Sequence, residues 1–304
     1  MPRRLVFMGS PDFALPTLQA LYEQYEVAGV VTQPDRPAGR GKTMQPCAVK
    51  ALAATLRLPV YQPVSLKSEE AYRVISEWNP DFIVVVAFGE IIPKAMLSLP
   101  PHACLNVHAS LLPRWRGASP IQAAIAAGDA KTGVTIMQMD AGLDTGAILS
   151  QREVPLRPGT NAGELSDQLA FLGAKSLMDL LPSYLNGKLV AVPQPEAGAT
   201  YAPKLSKEDG CLDLSRAAGI LARRVDAFQP WPGTFLELLK GRLKVLKAHA
   251  HDSYDVQQGM RYVVNGYPAI GTAESLLVLD KVQPEGKKAV DGRDFLNGQK
   301  DWLG

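Results

Sequence analysis

The N-terminal part of the chain alternates short apolar runs with segments of helical period, the pattern of βαβ units around a parallel sheet. The apolar runs predict strands over Leu5–Met8, Val27–Val31, Phe82–Phe88 and Cys104–Val107, then over Thr135–Met139 and Ala147–Val154. Ile83-Val84-Val85-Val86 shows no polar alternation, as expected of a central strand covered on both faces. Helices are predicted between the strands over Phe13–Tyr25, Ala48–Leu56 and Glu69–Trp78. Ser119-Pro120 supplies an N-cap and a proline for the next helix, which Gly128 ends. A longer helix opens at Asn161, with Glu164 three residues on, and closes at Asn186-Gly187.

From Val190 to Pro203 the texture changes to proline, glycine, alanine and polar residues without a sustained period. The expected organisation is therefore an N-terminal domain over 1–189, a linker over 190–205 and a C-terminal domain over 206–304. One helix, Ser215–Phe228, opens the last part. Phe235–Leu239 and Arg242–Leu246 flank Lys240-Gly241 as a two-residue hairpin. Short strands over Arg261–Val264, Ala269–Thr272 and Leu276–Leu279 then predict a small antiparallel barrel.

Composition is that of an ordinary globular protein: 304 residues, 46% hydrophobic and 20% charged. The net charge of +2 hides a local imbalance, because Arg36, Arg40, Lys42 and Lys50 face Asp35 alone between Pro34 and Lys50. Such a loop suits a phosphate-rich partner, although cations in a surface loop are more often simply solvated. Cys47, Cys104 and Cys211 are widely spaced and form no CxxC pair, which gives neither a disulfide framework nor a zinc site. Met1-Pro2-Arg3-Arg4 runs directly into the first strand, and no apolar run approaches the roughly 20 residues that span a bilayer. A cytoplasmic protein without a membrane partner is expected.

Two clusters carry candidate chemistry. Asn106 and His108 sit two apart at the end of a buried strand, so an amide and an imidazole share one face where ligands of parallel sheets bind. Asp140-Ala141-Gly142-Leu143-Asp144-Thr145-Gly146 joins two predicted strands and offers two carboxylates in one glycine-containing loop. Taken alone, the first pattern is more often a satisfied strand-end histidine and the second a pair of turn formers. Their conjunction, with no nucleophilic cysteine or metal-ligand set in competition, points to acid–base or oxyanion chemistry. His102, His249 and His251 are expected to be structural or solvated, and Cys104 to be a packed thiol. On the strand Arg242–Leu246, Arg242 and Lys244 share the face opposite Leu243 and Val245; that face is either solvated or suited to phosphates.

Asn106-x-His108, Ser110-Leu111-Leu112-Pro113-Arg114-x-Arg116-Gly117, Gly133-Val134-Thr135 and Asp140-x-Gly142-x-Asp144-x-Gly146 together resemble the signature of the folate-dependent formyltransferase family. His108-Ala109 departs from the His-Gly frequent in relatives and leaves the functional side chains in place. The resemblance implies an α/β fold: an N-terminal Rossmann-like formyltransferase domain with a mostly parallel sheet, plus a small C-terminal OB-like β-barrel. It also implies Asn106, His108 and Asp144 as catalytic residues and 10-formyltetrahydrofolate as co-substrate, without a metal. The folate pocket would be bordered by Phe88, Gly89, Ile91, Ile92, Asp140 and the turn Ser110, Leu111, Leu112, Pro113.

The acceptor is indicated by features outside that core. Thr32 to Lys42 resembles the basic loop of methionyl-tRNA formyltransferases, a branch of this family, as do Leu205-Ser206-Lys207-Glu208 and Phe228-x-Pro230-Trp231-Pro232 near the second domain. This implies initiator methionyl-tRNA as partner, contacted by Arg36, Arg40 and Lys42; the strand face of Arg242 and Lys244 is the further candidate for tRNA contact, and no heptad or apolar seam argues against a monomer. A formyltransferase acting on a nucleotide-linked amino sugar, a folate hydrolase and a noncatalytic RNA-binding protein are the competing expectations.

Overall fold

The computed structural model describes residues 3–38, 43–238, 241–299 and 302–303. The chain divides into two compact units. The first holds Met1–Pro120, Lys131–Val154 and Ser166–Ala202; the second holds Ile121–Ala130, Pro155–Leu165 and Pro203–Gly304. Two stretches expected in the N-terminal domain, around 121–130 and 155–165, thus group with the C-terminal unit. Most of the segment expected as a linker groups with the N-terminal unit.

In chain order the elements up to Ala202 are β1 (Arg4–Gly9), α1 (Leu15–Gln24), β2 (Glu26–Val31), β3 (Arg36–Ala38), β4 (Thr43–Gln45), α2 (Ala48–Thr55), β5 (Val60–Tyr61), α3 (Glu69–Glu77), β6 (Phe82–Val86), α4 (Lys94–Leu97), β7 (Cys104–His108), β8 (Arg116–Gly117), α5 (Pro120–Ala127), β9 (Lys131–Gln138), β10 (Ile148–Pro155), α6 (Ala162–Leu185) and β11 (Tyr201–Ala202). A seven-stranded sheet has the order β10-β9-β7-β6-β1-β2-β5. β5, β2, β1, β6 and β7 run parallel, and β9 pairs antiparallel with β7. Chain order reverses between β1 and β6, the switch point beside which open α/β sheets bind ligands.

β1, β6 and β7 lie in the middle of this sheet and are buried almost throughout, which accounts for the missing alternation in Ile83–Val86. Val6, Met8, Ile83, Val85, Ile75 and Met96 pack on one face. Cys104 joins them, and burial pushes its thiol up to about 12, so it is a packing group rather than a nucleophile. Helix ends follow local chemistry. Ser68 Oγ accepts a hydrogen bond from the Ala71 amide at the start of α3, and Asn161 Oδ1 accepts one from the Glu164 amide at the start of α6. Gly128 and Gly187 take positive φ after α5 and α6. The strand expected to reach Phe88 stops at Val86 because Ala87 (φ 46°) and Gly89 (φ 78°) turn the chain out of the sheet.

The second unit carries α7 (Ala218–Ala227), β12 (Thr234–Leu238), β13 (Gly241–His251), β14 (Arg261–Val264), β15 (Tyr267–Thr272), β16 (Ser275–Pro284), β17 (Val290–Asp291) and α8 (Gly292–Asn297). Its antiparallel sheet runs β12-β13-β16-β15-β14, with β17 beside β16. β13 and β16 are longer than the local pattern suggested, because a register shift around Lys247 interrupts the alternation within one continuous ladder. Leu221 and Val225 of α7 pack with Leu243, Val245, Leu277, Leu279, Val282, Phe295 and Trp302 into the core. Of the hairpin turn, Leu239 and Lys240 lie outside the described residues.

Within this unit burial pushes the Asp226 carboxyl up to about 6; Lys247 opposes the shift, and Glu164 and Asp280 reinforce it. An unfolded aspartate titrates near ~3.9. The folded state therefore binds the extra proton between about pH 4 and 6, and stability falls as pH rises through that window. Asp226→Asn is expected to raise the melting temperature near neutral pH and to lose the gain toward pH 4. Asp226 is partly solvated, so the gain should be only on the order of 1 kcal/mol. An equal gain at both pH values would assign it to another cause.

Candidate active site

Three side chains from two separate parts of the sequence meet at the end of β7. Asn106 and His108 project from the same face of that strand, as a period of two requires, and are 8% and 6% exposed. Asp144 comes from the loop between β9 and β10. The Asn106 amide donates to Asp144 Oδ1 at 3.4 Å, and His108 Nδ1 lies 3.7 Å from Asp144 Oδ2. The Gly117 amide donates to that same Oδ2 at 2.8 Å. His108 Nε2 is 3.0 Å from the Trp115 carbonyl. A carbonyl only accepts, so Nε2 carries a proton, and a second proton on Nδ1 would face the Asp144 carboxylate. The imidazole thus has an acceptor at each ring nitrogen.

Backbone conformation places these groups. Asp144 has φ 51° and Trp115 φ 62°, left-handed values that are uncommon for side-chain-bearing residues and concentrate at functional sites. Asp140 shapes the Asp144 loop by accepting hydrogen bonds from the Gly142 amide (3.0 Å) and the Thr145 hydroxyl (2.7 Å). A Cβ at Gly146 would stand 1.9 Å from the Gln138 carbonyl oxygen, so only glycine fits there. Gly117 has φ 115°, and a Cβ on it would stand 2.5 Å from the Ala202 carbonyl oxygen. Gly117→Ala is therefore expected to displace the amide that holds Asp144. Turnover should fall about tenfold or more, and stability by roughly 1–3 kcal/mol. Wild-type kcat in that variant would show that the Gly117 amide is not needed to hold Asp144.

Sequence-predicted neighbours of the site fall into two groups. Ser110 is fully buried; its hydroxyl donates to the Arg114 carbonyl at 2.6 Å and its own carbonyl accepts from Thr135 Oγ1 at 2.7 Å. Leu112 is buried, with its amide on Thr135 Oγ1 and its carbonyl on Gln151 Nε2. Both residues are spent on shaping the turn. Leu111 and Pro113 stay partly accessible. After β6, Phe88 and Ile92 are buried, Gly89 and Ile91 are exposed, and Gln33 Nε2 donates to the Phe88 carbonyl at 2.8 Å. Asp140 is exposed but engaged in its own loop.

Comparison with known proteins gives the family. Residues 3–181 match the Formyl transferase family and residues 204–300 the Formyl transferase, C-terminal domain. The chain is 46% identical over 303 residues to a methionyl-tRNA formyltransferase of Marinobacter nauticus, covering 99% of this chain and 97% of the relative. It is 48% identical to one of Stenotrophomonas maltophilia, covering 98% of each chain. The chain belongs to the methionyl-tRNA formyltransferase family. An N-formyltransferase from Helicobacter canadensis, solved with folinic acid and dTDP-3-aminofucose, superposes with a TM-score of 0.67. It is 16% identical and covers 92% of this chain and 99% of its own, a likeness of fold. Formyl transferases of this family use folate-derived formyl donors. Among the described residues no group of three or more His, Cys, Asp and Glu is placed to hold a metal ion, and no helix is long and apolar enough to cross a membrane.

The basic residues differ in how the fold engages them. Lys50 Nζ lies 2.6 Å from Asp35 Oδ2 and 2.7 Å from Gln62 Oε1; the Lys50 hydrogen bond holds the Asp35 carboxyl below its usual range. Lys50 is thus spent within the fold. Arg36 is exposed on β3, and Arg40 and Lys42 lie outside the described residues. Arg242 forks onto Glu237 Oε1 at 3.0 and 2.7 Å and stacks over Phe235, whereas Lys244 is exposed on the same face of β13. His249 pairs with Asp280 at 2.9 Å, a contact across strands that a lone histidine does not announce.

Proposed function

We propose that this chain transfers the formyl group of 10-formyltetrahydrofolate to the α-amino group of methionine on initiator methionyl-tRNA, giving N-formylmethionyl-tRNA, and that it does so as a cytoplasmic monomer. The observation that carries the reading is the meeting of Asn106, His108 and Asp144 at the end of β7 in a chain of this family.

An α-amino group has a pKa of about 7.7–8.0, so a neutral nucleophile is accessible near neutrality. Its nitrogen attacks the formyl carbon and produces a tetrahedral oxyanion, which aimed donors stabilise. Asn106 Nδ2 has a second N–H beyond the one directed at Asp144 and is the first candidate donor. His108 serves the oxyanion or the departing folate nitrogen when Nε2 is released from the Trp115 carbonyl. Asp144, fixed by the Gly117 amide, orients the imidazole and takes up the charge of the proton leaving the amine. As the tetrahedral intermediate collapses the C–N bond to folate breaks, and the folate nitrogen takes up the proton that the amine lost, delivered through His108 or a water. The transfer requires neither a covalent enzyme intermediate nor a metal.

Phe88, Gly89, Ile91, Ile92, Asp140 and the Ser110–Pro113 turn border the folate site in this reading, and the exposed Ile91 supplies apolar surface there. The charged loop bearing Arg36, Arg40 and Lys42, with Arg242 and Lys244, contacts tRNA phosphates. The test follows donor consumption: with methionyl-tRNA present, formyltetrahydrofolate should be converted stoichiometrically to tetrahydrofolate. Equal conversion with water alone would make the chain a hydrolase.

A further inference from the structure

The segment 190–202, which lacks a helical or strand period, is tied to the catalytic groups at several points. Val192 pairs with Ile148 through both backbone groups, at 2.7 and 2.8 Å. The Thr200 hydroxyl accepts from the Trp115 amide at 2.9 Å, and its carbonyl accepts from the Arg116 amide at 2.8 Å. Between these ties lies Gln194. Its side-chain amide donates one hydrogen to the Asp144 carbonyl at 2.8 Å and the other to the Gly146 carbonyl at 2.7 Å. Its Oε1 accepts from Arg116 Nε at 3.2 Å and Nη2 at 3.0 Å.

We propose that Gln194 is a positioning residue for the Asp144 carboxylate. It holds the loop 144–146 in the left-handed turn that aims Asp144 at Asn106 and His108.

Three observations support this role. Both amide hydrogens of Gln194 are spent on the two carbonyls that flank the turn at Asp144, whose φ of 51° needs support from its surroundings. The amide orientation is fixed from behind, because a guanidinium only donates and must therefore meet the oxygen. That guanidinium belongs to Arg116, which is 1% exposed and has its Nη1 3.5 Å from Glu196 Oε2. A buried arginine is costly unless its donors are matched, and here it is matched largely by the residue that grips the catalytic loop. The Arg116–Gln194 pair thus fixes both the loop of Asp144 and the strand whose Gly117 amide holds the Asp144 carboxylate.

The proposal rests on the formyl-transfer reading, and its test is a double-mutant cycle in the full-length enzyme. Gln194→Ala is expected to lower kcat by on the order of 10²-fold, the cost of misplacing a catalytic group by about an ångström. KM for the formyl donor and for methionyl-tRNA should change by less than about twofold. In an Asp144→Asn background the same substitution should cost less than about twofold, because the group it positions is already disabled. Gln194→Glu keeps an acceptor for Arg116 and loses both donors, so it should reproduce the loss and serve if the alanine variant does not fold. The proposal is overturned by a single-mutant kcat within twofold of wild type, by the full loss recurring in the Asp144→Asn background, or by neither variant folding. Absence of transfer to methionyl-tRNA by the wild-type chain would instead overturn the functional reading. The cycle would then be run on whichever acceptor consumes the donor.

Discussion

His108→Ala is expected to lower kcat for formyl transfer by about 10²–10⁴-fold, the range for losing a positioned acid–base group, while the dissociation constant of the formyl donor changes little. The imidazole is buried between the Trp115 carbonyl, 3.0 Å from Nε2, and the Asp144 carboxylate, 3.7 Å from Nδ1, so its removal takes out the centre of the constellation. Asn106→Ala should cost on the order of 10²–10³-fold, the usual effect of deleting one oxyanion donor. Asp144→Asn should behave similarly, because an amide there meets two donors, the Gly117 N–H and the Asn106 side chain, that both require an acceptor. The triple variant should be scarcely worse than the worst single one, since groups that act as a unit do not add. Near-wild-type turnover in any single variant takes that residue out of the mechanism.

The second large effect concerns the acceptor. Replacing Arg36, Arg40 and Lys42 together by alanine is expected to lower kcat/KM for methionyl-tRNA by about tenfold or more and to leave formyl-donor binding unchanged. The slope of log K against log salt should flatten by roughly 0.7–0.9 for each phosphate that no longer meets a cation. Arg36 is exposed on β3, as this role requires. Lys50, a cation of the same stretch, is excluded from the prediction because Asp35 and Gln62 already occupy its ammonium. Lys50→Ala should accordingly leave the salt slope unchanged. An unaltered slope and unaltered tRNA kinetics in the triple variant would detach the loop from tRNA and favour a small amine as acceptor.

The parts of the site legible from sequence are those governed by local periodicity. Asn106 and His108 share a face because β7 is a regular strand, and its end is marked by the polar residues themselves. The loop of Asp144 is marked by its glycines, at least one of which leaves no room for a Cβ. The connections across long sequence separations are not legible. Gln194 reaches Asp144 and Arg116 from a stretch of proline, glycine and alanine whose order comes from hydrogen bonds to distant residues rather than from a period. The same cause hides the two-residue pairing of β8 with β11 and the cross-strand partner of His249. Burial patterns predict where a side chain points, whereas an irregular segment is identified only by what it touches.

Whether Asn106, His108 and Asp144 move a formyl group onto the amine of methionyl-tRNA is decided by a competition for one labelled donor. The chain is incubated with 10-formyltetrahydrofolate labelled in the formyl carbon, together with initiator methionyl-tRNA and a nucleotide-linked amino sugar at equal concentration. Label is expected on the methionyl amine, recovered as N-formylmethionine, at a rate that collapses in His108→Ala. Label on the sugar amine or released as formate, or transfer to methionyl-tRNA that persists in His108→Ala, would contradict this mechanism.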